Sequence, residues 1–154
     1  MVFPIDTYKT QIESFYNLMA KHMDIAEVKL GEDKWTLKEM VGHLIDSASN
    51  NHQRFIRLQL SEELILPGYN PEDWRRVSRA NDLDYRFLID FWKQYNLFLL
   101  HLIQNVDPKT LDHYWVVNSE KKSLKFLIED YFRHIQWHVD LFNQRVQEIR
   151  TGSR

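Results

Sequence analysis

Seven histidines occur in this 154-residue chain, and His134 and His138 are the one pair among them at helical spacing. Four residues apart on a helix, two imidazoles share a face with Cβ atoms about 6 Å apart. They can then converge on one ion through metal–nitrogen bonds of about 2.0–2.1 Å. Spacing alone is equally that of two histidines at the edge of a core without a metal. Leu124, Tyr131, Ile135, Val139 and Phe142 read as the buried stripe of the same helix. Both histidines fall at its edge, within about 100° of its centre.

An earlier helix offers a third ligand. His43, Ser47, Asn50 and Arg54 follow one another at spacings of four, three and four, opposite an apolar stripe that includes Val41, Leu44 and Phe55. That polar row is either a solvated face or the lining of a cleft. If it faces the cleft, His43 joins the pair and leaves a coordination position open, which is the arrangement of catalytic sites. Asp46, three residues after His43, and Asp130, four before His134, could orient an imidazole or act as a base, or could be plain surface carboxylates. Asp46 is the candidate catalytic base. Arg54 and Asn50 are the candidates for holding a cofactor, Arg54 through an anionic group. His52 lies about 180° around the helix from His43 and cannot share the site. His22, His101 and His113 lack partner spacing and read as ordinary surface or core residues. The chain has no cysteine, so a metal must be held by nitrogen and oxygen, and a protein thiol nucleophile is excluded.

The elements that must position these groups are helical. Four glycines and four prolines punctuate the chain, and apolar residues recur at helical spacing. Tyr8, Ile12, Phe15, Tyr16, Met19 and Met23 place a first helix over about residues 5–22. Thr36 and Glu39 form a T-x-x-E capping box that starts a second, running until the pattern fades near Leu60. Residues 61–81 read as a long crossover in which Asn70 caps a short helical piece with Pro71 at its first position. A third long helix opens near Asp82 and looks heavily buried, with Phe87, Leu88, Phe91, Trp92, Tyr95, Phe98, Leu99, Leu102 and Ile103 in one wide stripe. Pro108 ends it. Residues 113–118 favour an extended stretch too short to seed a sheet. Ser123 caps the last helix, which runs to Gly152. The expected fold class is all-α, a single four-helix-bundle domain over residues 1–154 with one long crossover between the second and third long helices.

Composition bounds the partners. Hydrophobic residues are 44% of the chain and aromatics 14%, enough for an independent core. Lys+Arg (20) nearly balance Asp+Glu (22), so no basic field for nucleic acid is evident. Neither a signal peptide nor a membrane span is evident, and the expected location is the cytoplasm, with no membrane partner.

Three segments resemble the DinB-like metal-binding four-helix bundles. They are Trp35-Thr36-Leu37-Lys38-Glu39-Met40-Val41-Gly42-His43-Leu44-Ile45-Asp46-Ser47, Pro67-Gly68-Tyr69-Asn70-Pro71-Glu72-Asp73-Trp74, and Arg133-His134-Ile135-Gln136-Trp137-His138. With the helix order, the resemblance covers most of the chain. It implies that His43, His134 and His138 bind one divalent ion, zinc, nickel or a similar metal. It also implies frequent homodimers and, in some branches, transfer or isomerisation using a low-molecular-weight thiol, while other members are named metal-dependent hydrolases. Three readings follow: an enzyme directing such a thiol at an electrophilic small molecule, a metal-dependent hydrolase activating water, or a non-catalytic metal-binding or interaction module. In the first two the partner is a small-molecule substrate. Tyr69 and Trp74, in the crossover, could cover the mouth of the cleft or simply pack on the bundle.

Overall fold

The computed structural model describes residues 2–152. Residues 1, 153 and 154, the outermost ends of the expected domain, lie outside the described residues. Four long helices carry the architecture: α1 (Ile5–Lys21), α2 (Leu37–Leu60), α4 (Tyr85–Gln104) and α5 (Leu124–Thr151). Between them lie strand β1 (Glu63–Ile65), a short helix α3 (Pro71–Ser78), and strands β2 (Tyr114–Val117) and β3 (Glu120–Ser123). α1 and α2 both pack on α4 and α5, so these two consecutive long helices stand diagonally across the bundle. The four-helix bundle with one long crossover is therefore observed.

Start signals in the sequence fix where α2 and α5 begin. Thr36 Oγ1 accepts from the Glu39 amide at 3.0 Å while Glu39 Oε1 accepts from the Thr36 amide at 3.0 Å, a complete capping box. The Glu39 carboxylate is buried and also takes Lys29 at 3.0 Å and Arg75 at 2.8 Å. It thus ties the preceding loop and α3 to the first turn of α2, one turn before His43. Burial raises its pKa, but the Thr36 amide and the Lys29 and Arg75 cations prevail and hold it below the ordinary carboxylate value. Ser123 caps α5 by accepting from the Phe126 amide, and Gly152 closes it in the left-handed region at φ 67°. Asn70 caps α3 with Pro71 at its first position.

Three expectations are corrected. α4 begins at Tyr85 with Asp84 as N-cap, because residues 80–82 form a separate 3-10 turn packed under α2. Its wide stripe is divided: Leu88, Trp92, Leu99 and Ile103 are buried, whereas Phe87, Phe91 and Phe98 are 54%, 43% and 51% exposed. Helical spacing cannot distinguish a stripe covered on both flanks from one covered on a single flank. The stretch around Tyr114 does join a sheet. β1 pairs parallel to β2 with Leu64 opposite Trp115, and β2 pairs antiparallel to β3 with Trp115 opposite Lys122. Asn118 and Ser119, at φ 48° and 65°, make the two-residue turn of that hairpin. The sheet is possible because a segment just after α2 supplies the third strand, a pairing across about fifty residues that local pattern does not reveal.

The core runs through the bundle. Phe15, Trp92 and Phe142 meet edge to face at ring separations of 5.3 and 5.7 Å. Buried polar groups in it are mostly satisfied: Tyr131 donates to Asn96 Oδ1 at 2.6 Å and Tyr85 donates to the Met19 carbonyl at 2.9 Å.

Candidate metal centre and its cavity

α2 and α5 run antiparallel along a cavity of about 640 Å³. The pairing direction is fixed by three contacts in order. Arg145 donates to the Trp35 carbonyl at one end, the rings of His43 and His138 meet in the middle, and Phe55 packs edge to face on Tyr131 at the other end. From α2 the lining comprises Met40, His43, Ser47, Asn51 and Arg54. At about 100° per residue these fall within an arc of about 80° measured from His43 in one sense, while Asn50 and Asp46 lie about 20° and 60° in the other. α5 contributes, among others, Asp130, Tyr131, His134 and His138.

His43, His134 and His138 are brought together. Ring centroids are 4.9 Å apart for His43 and His138, and 5.2 Å apart for His134 and His138. Bonds of about 2.1 Å place a ring centroid about 3.2 Å from an ion, and two such rings at a tetrahedral angle about 5 Å apart. The observed separations match that spacing. Among the described residues no three side chains stand in a finished ligating arrangement. The donor chemistry nevertheless fits a divalent ion. His43 Nδ1 and His138 Nε2 are buried without hydrogen-bond partners, as unspent ring nitrogens at a ligand site would be. Burial, then the neighbouring His134, holds His43 below the ordinary histidine pKa. Burial, with His43 and His134, lowers His138 to about 3. Both rings are therefore neutral at pH 7, the form that binds metal. Trp35 and Trp137 pack their edges or faces against the cluster at 5.4 Å from His43 and 5.0 Å from His138, which limits how far the rings can swing.

The carboxylates and polar candidates divide. Asp46 does not line the cavity; it is 8% exposed, its Oδ2 has no partner, and burial raises its pKa to about 6. Asp130 lines the cavity and is ion-paired with Arg133 at 3.4 Å. Asn50 turns its amide to the Asp46 carbonyl at 2.9 Å, and Asn51 stands at the cavity in its place. Arg54 lines the cavity, buried against Trp115. Tyr69 reaches the lining beside Ser47, whereas Trp74 packs on Tyr69 at 5.3 Å outside it. His52 is remote from the cluster, bonded to the Tyr95 hydroxyl at 2.8 Å. Sequence reasoning missed Trp115, Lys122 and Trp137 as lining residues. Trp137 alone carried a usable signal, lying one turn from His134 on the same face.

By sequence alone, no family model and no curated protein matches the chain. Solved structures do. YfiT from Bacillus subtilis, described as a "probable metal-dependent hydrolase with an unusual four-helix bundle topology", superposes with a TM-score of 0.78 at 15% identity over 96% of this chain and 87% of its own. A mycothiol-dependent maleylpyruvate isomerase superposes with a TM-score of 0.64 at 12% identity, over 89% of this chain and 60% of its own. The chain shares the four-helix-bundle fold of YfiT. At these identities the likeness shows the fold alone.

Proposed function

We propose that this chain is a divalent-metal-dependent enzyme in which His43, His134 and His138 hold the ion and a low-molecular-weight thiol attacks an electrophilic small molecule in the adjoining cavity. One observation carries the reading: three imidazoles from two helices, those of His43 and His138 held neutral by burial, meet on the wall of a cavity of about 640 Å³, large enough for a small-molecule ligand. When bound, the ion supplies Lewis acidity, lowering the pKa of whatever thiol or water takes the open position. The protein's part is positioning. Glu39 and Thr36 anchor the turn that carries His43, Trp35 and Trp137 restrain the rings, and Tyr69 and Pro71 bring the crossover to the cavity lining.

The choice of thiol over water rests on the proton. A thiol, with an ordinary pKa of about 8.5, needs little help to ionise, whereas water needs a base held beside the attacking oxygen. Asp46 is off the cavity face, and Asp130, which is on it, is engaged by Arg133. Hydrolysis remains the second reading because Asp130 lies one turn before His134 on the lining, and YfiT, whose fold this chain shares, is described as a hydrolase.

The test is turnover by the zinc-loaded full chain with glutathione or bacillithiol and a chromogenic aryl halide, against p-nitrophenyl acetate without thiol. The expected result is metal-dependent thiol conjugation that disappears in His138→Ala. Metal-dependent ester hydrolysis with no response to either thiol would reject the thiol reading in favour of the second.

A further inference from the structure

Among the described residues Arg54 is the most deeply buried cation of the cavity lining; Arg145, also on the lining, is paired with Glu148 at 3.7 Å. Arg54 is 7% exposed, and its guanidinium lies 3.9 Å from the centroid of the Trp115 ring. Nε is buried without a hydrogen-bond partner, and Nη1 reaches only the neutral Asn51 Oδ1 at 3.4 Å. No carboxylate among the described residues pairs with it. Burying a charge without a counter-ion is costly, and nothing in the packing requires a guanidinium here: an apolar side chain on the same face would cover Trp115 without that cost. Trp115 is itself locked, its Nε1 donating to the Leu66 carbonyl at 2.7 Å, so the platform beneath the cation is rigid. Lys122, the register partner of Trp115 on β3, adds a second positive side chain to the same end of the lining.

The position of Arg54 along the helix gives the ligand its shape. Eleven residues separate it from His43, which is about three turns with a rotation of only about 20°, so both face the cavity with an axial offset of about 16 Å. Between them on α2 the lining is Ser47 and Asn51, and Tyr69, Leu127, Asp130 and Tyr131 line the same cavity, which is thus walled by both polar and apolar groups.

We propose that the cavity takes an elongated small molecule bearing a carboxylate, which Arg54 receives on the Trp115 platform while the molecule's other end lies toward the three histidines. A planar carboxylate suits the free edge of a stacked guanidinium, and Lys122 reinforces the field. The orientation relative to the histidines rests on the proposed function; the carboxylate subsite does not, and the experiment separates them.

Calorimetric titration of the full chain, as purified and again after chelation, uses octanoate and its neutral counterpart octanamide. Octanoate is expected to bind at least about tenfold more tightly than octanamide, one charge-assisted pair's worth of preference. That preference should persist after chelation, fall to within about twofold in Arg54→Gln, and be partly kept in Arg54→Lys. Circular dichroism and thermal unfolding confirm that each variant is folded. Equal affinities in the unsubstituted chain, or no detectable binding of either probe, would overturn the proposal without recourse to any variant. A preference that survives in Arg54→Gln, or that vanishes on chelation, would place the carboxylate elsewhere and overturn it as well. Loss of metal binding with the octanoate preference intact would instead strike the metal-based reading alone.

Discussion

Replacing Asp46 by asparagine removes a buried ionisable group at almost constant shape, and the structure gives the size and pH profile of the effect. Asp46 is 8% exposed, one carboxyl oxygen has no partner, and burial raises its pKa from 3.8 to about 6. A folded-state pKa above the unfolded value means that the native state holds a proton the unfolded chain has released. Its stabilising contribution is complete below about pH 4 and is lost as pH rises through about 6. At about 1.4 kcal/mol per pH unit, the loss by pH 7 is about 3 kcal/mol. Asparagine has no such dependence. The stability of Asp46→Asn relative to the unsubstituted chain should therefore climb by about 2–3 kcal/mol between pH 4 and pH 7, whatever constant offset the amide introduces. Urea unfolding of the chelated proteins at each pH unit across that range reads the difference directly. Parallel stability curves from pH 4 to pH 7 would mean that Asp46 ionises in the folded chain as it does in the unfolded one, contrary to this expectation.

His138 should behave in the opposite sense. Its folded pKa of about 3 lies below the ordinary histidine value of 6.5, so the metal-free chain loses stability as pH falls below about 6.5, and nitrogen-15 NMR should find the ring neutral at pH 4.5. Titration of that ring near 6.5 would contradict the buried, neutral ligand described above. Gly42, beside His43, is held by close approach: a Cβ there would lie 2.7 Å from the Ala80 Cβ. Gly42→Ala should cost about 1–3 kcal/mol, with Ala80→Gly restoring part of it, as measured by thermal unfolding; an unchanged midpoint would show that α2 does not sit so tightly on residues 80–82.

Much of the bundle was legible because its signals are local. The capping box at Thr36 and Glu39, the Ser123 cap, Asn70 with Pro71, and Gly152 each act within a turn of their own helix end, and each is found where the sequence puts it. That the rings of His43, His134 and His138 come close together was likewise readable, two from their spacing and the third from a polar row facing an apolar one. What the sequence withheld depends on the rotation of one helix against another. His43, Ser47, Asn50 and Arg54 form a row by spacing, but α2 is turned about 30° from that row, so Asn51 joins His43, Ser47 and Arg54 at the cavity while Asn50 turns aside. That rotation is set by packing on α4 and α5 and leaves no mark within α2 itself. The sheet was missed for a related reason. β1 is three residues long and gains its place by pairing with β2 some fifty residues later, which brings Trp115 under Arg54. The exposed phenylalanines of α4 mislead in the same way, since helical period reports a stripe and not its cover.

The proposed function requires His43, His134 and His138 to act as one ligand set. Elemental analysis and zinc titration calorimetry of the chain, purified without a histidine tag, test it most directly alongside the three single alanine variants. The expectation is one tightly held ion per chain, with affinity lowered at least about tenfold in each variant. Absence of stoichiometric binding by the unsubstituted chain, or an affinity unchanged in any of the three variants, would contradict it.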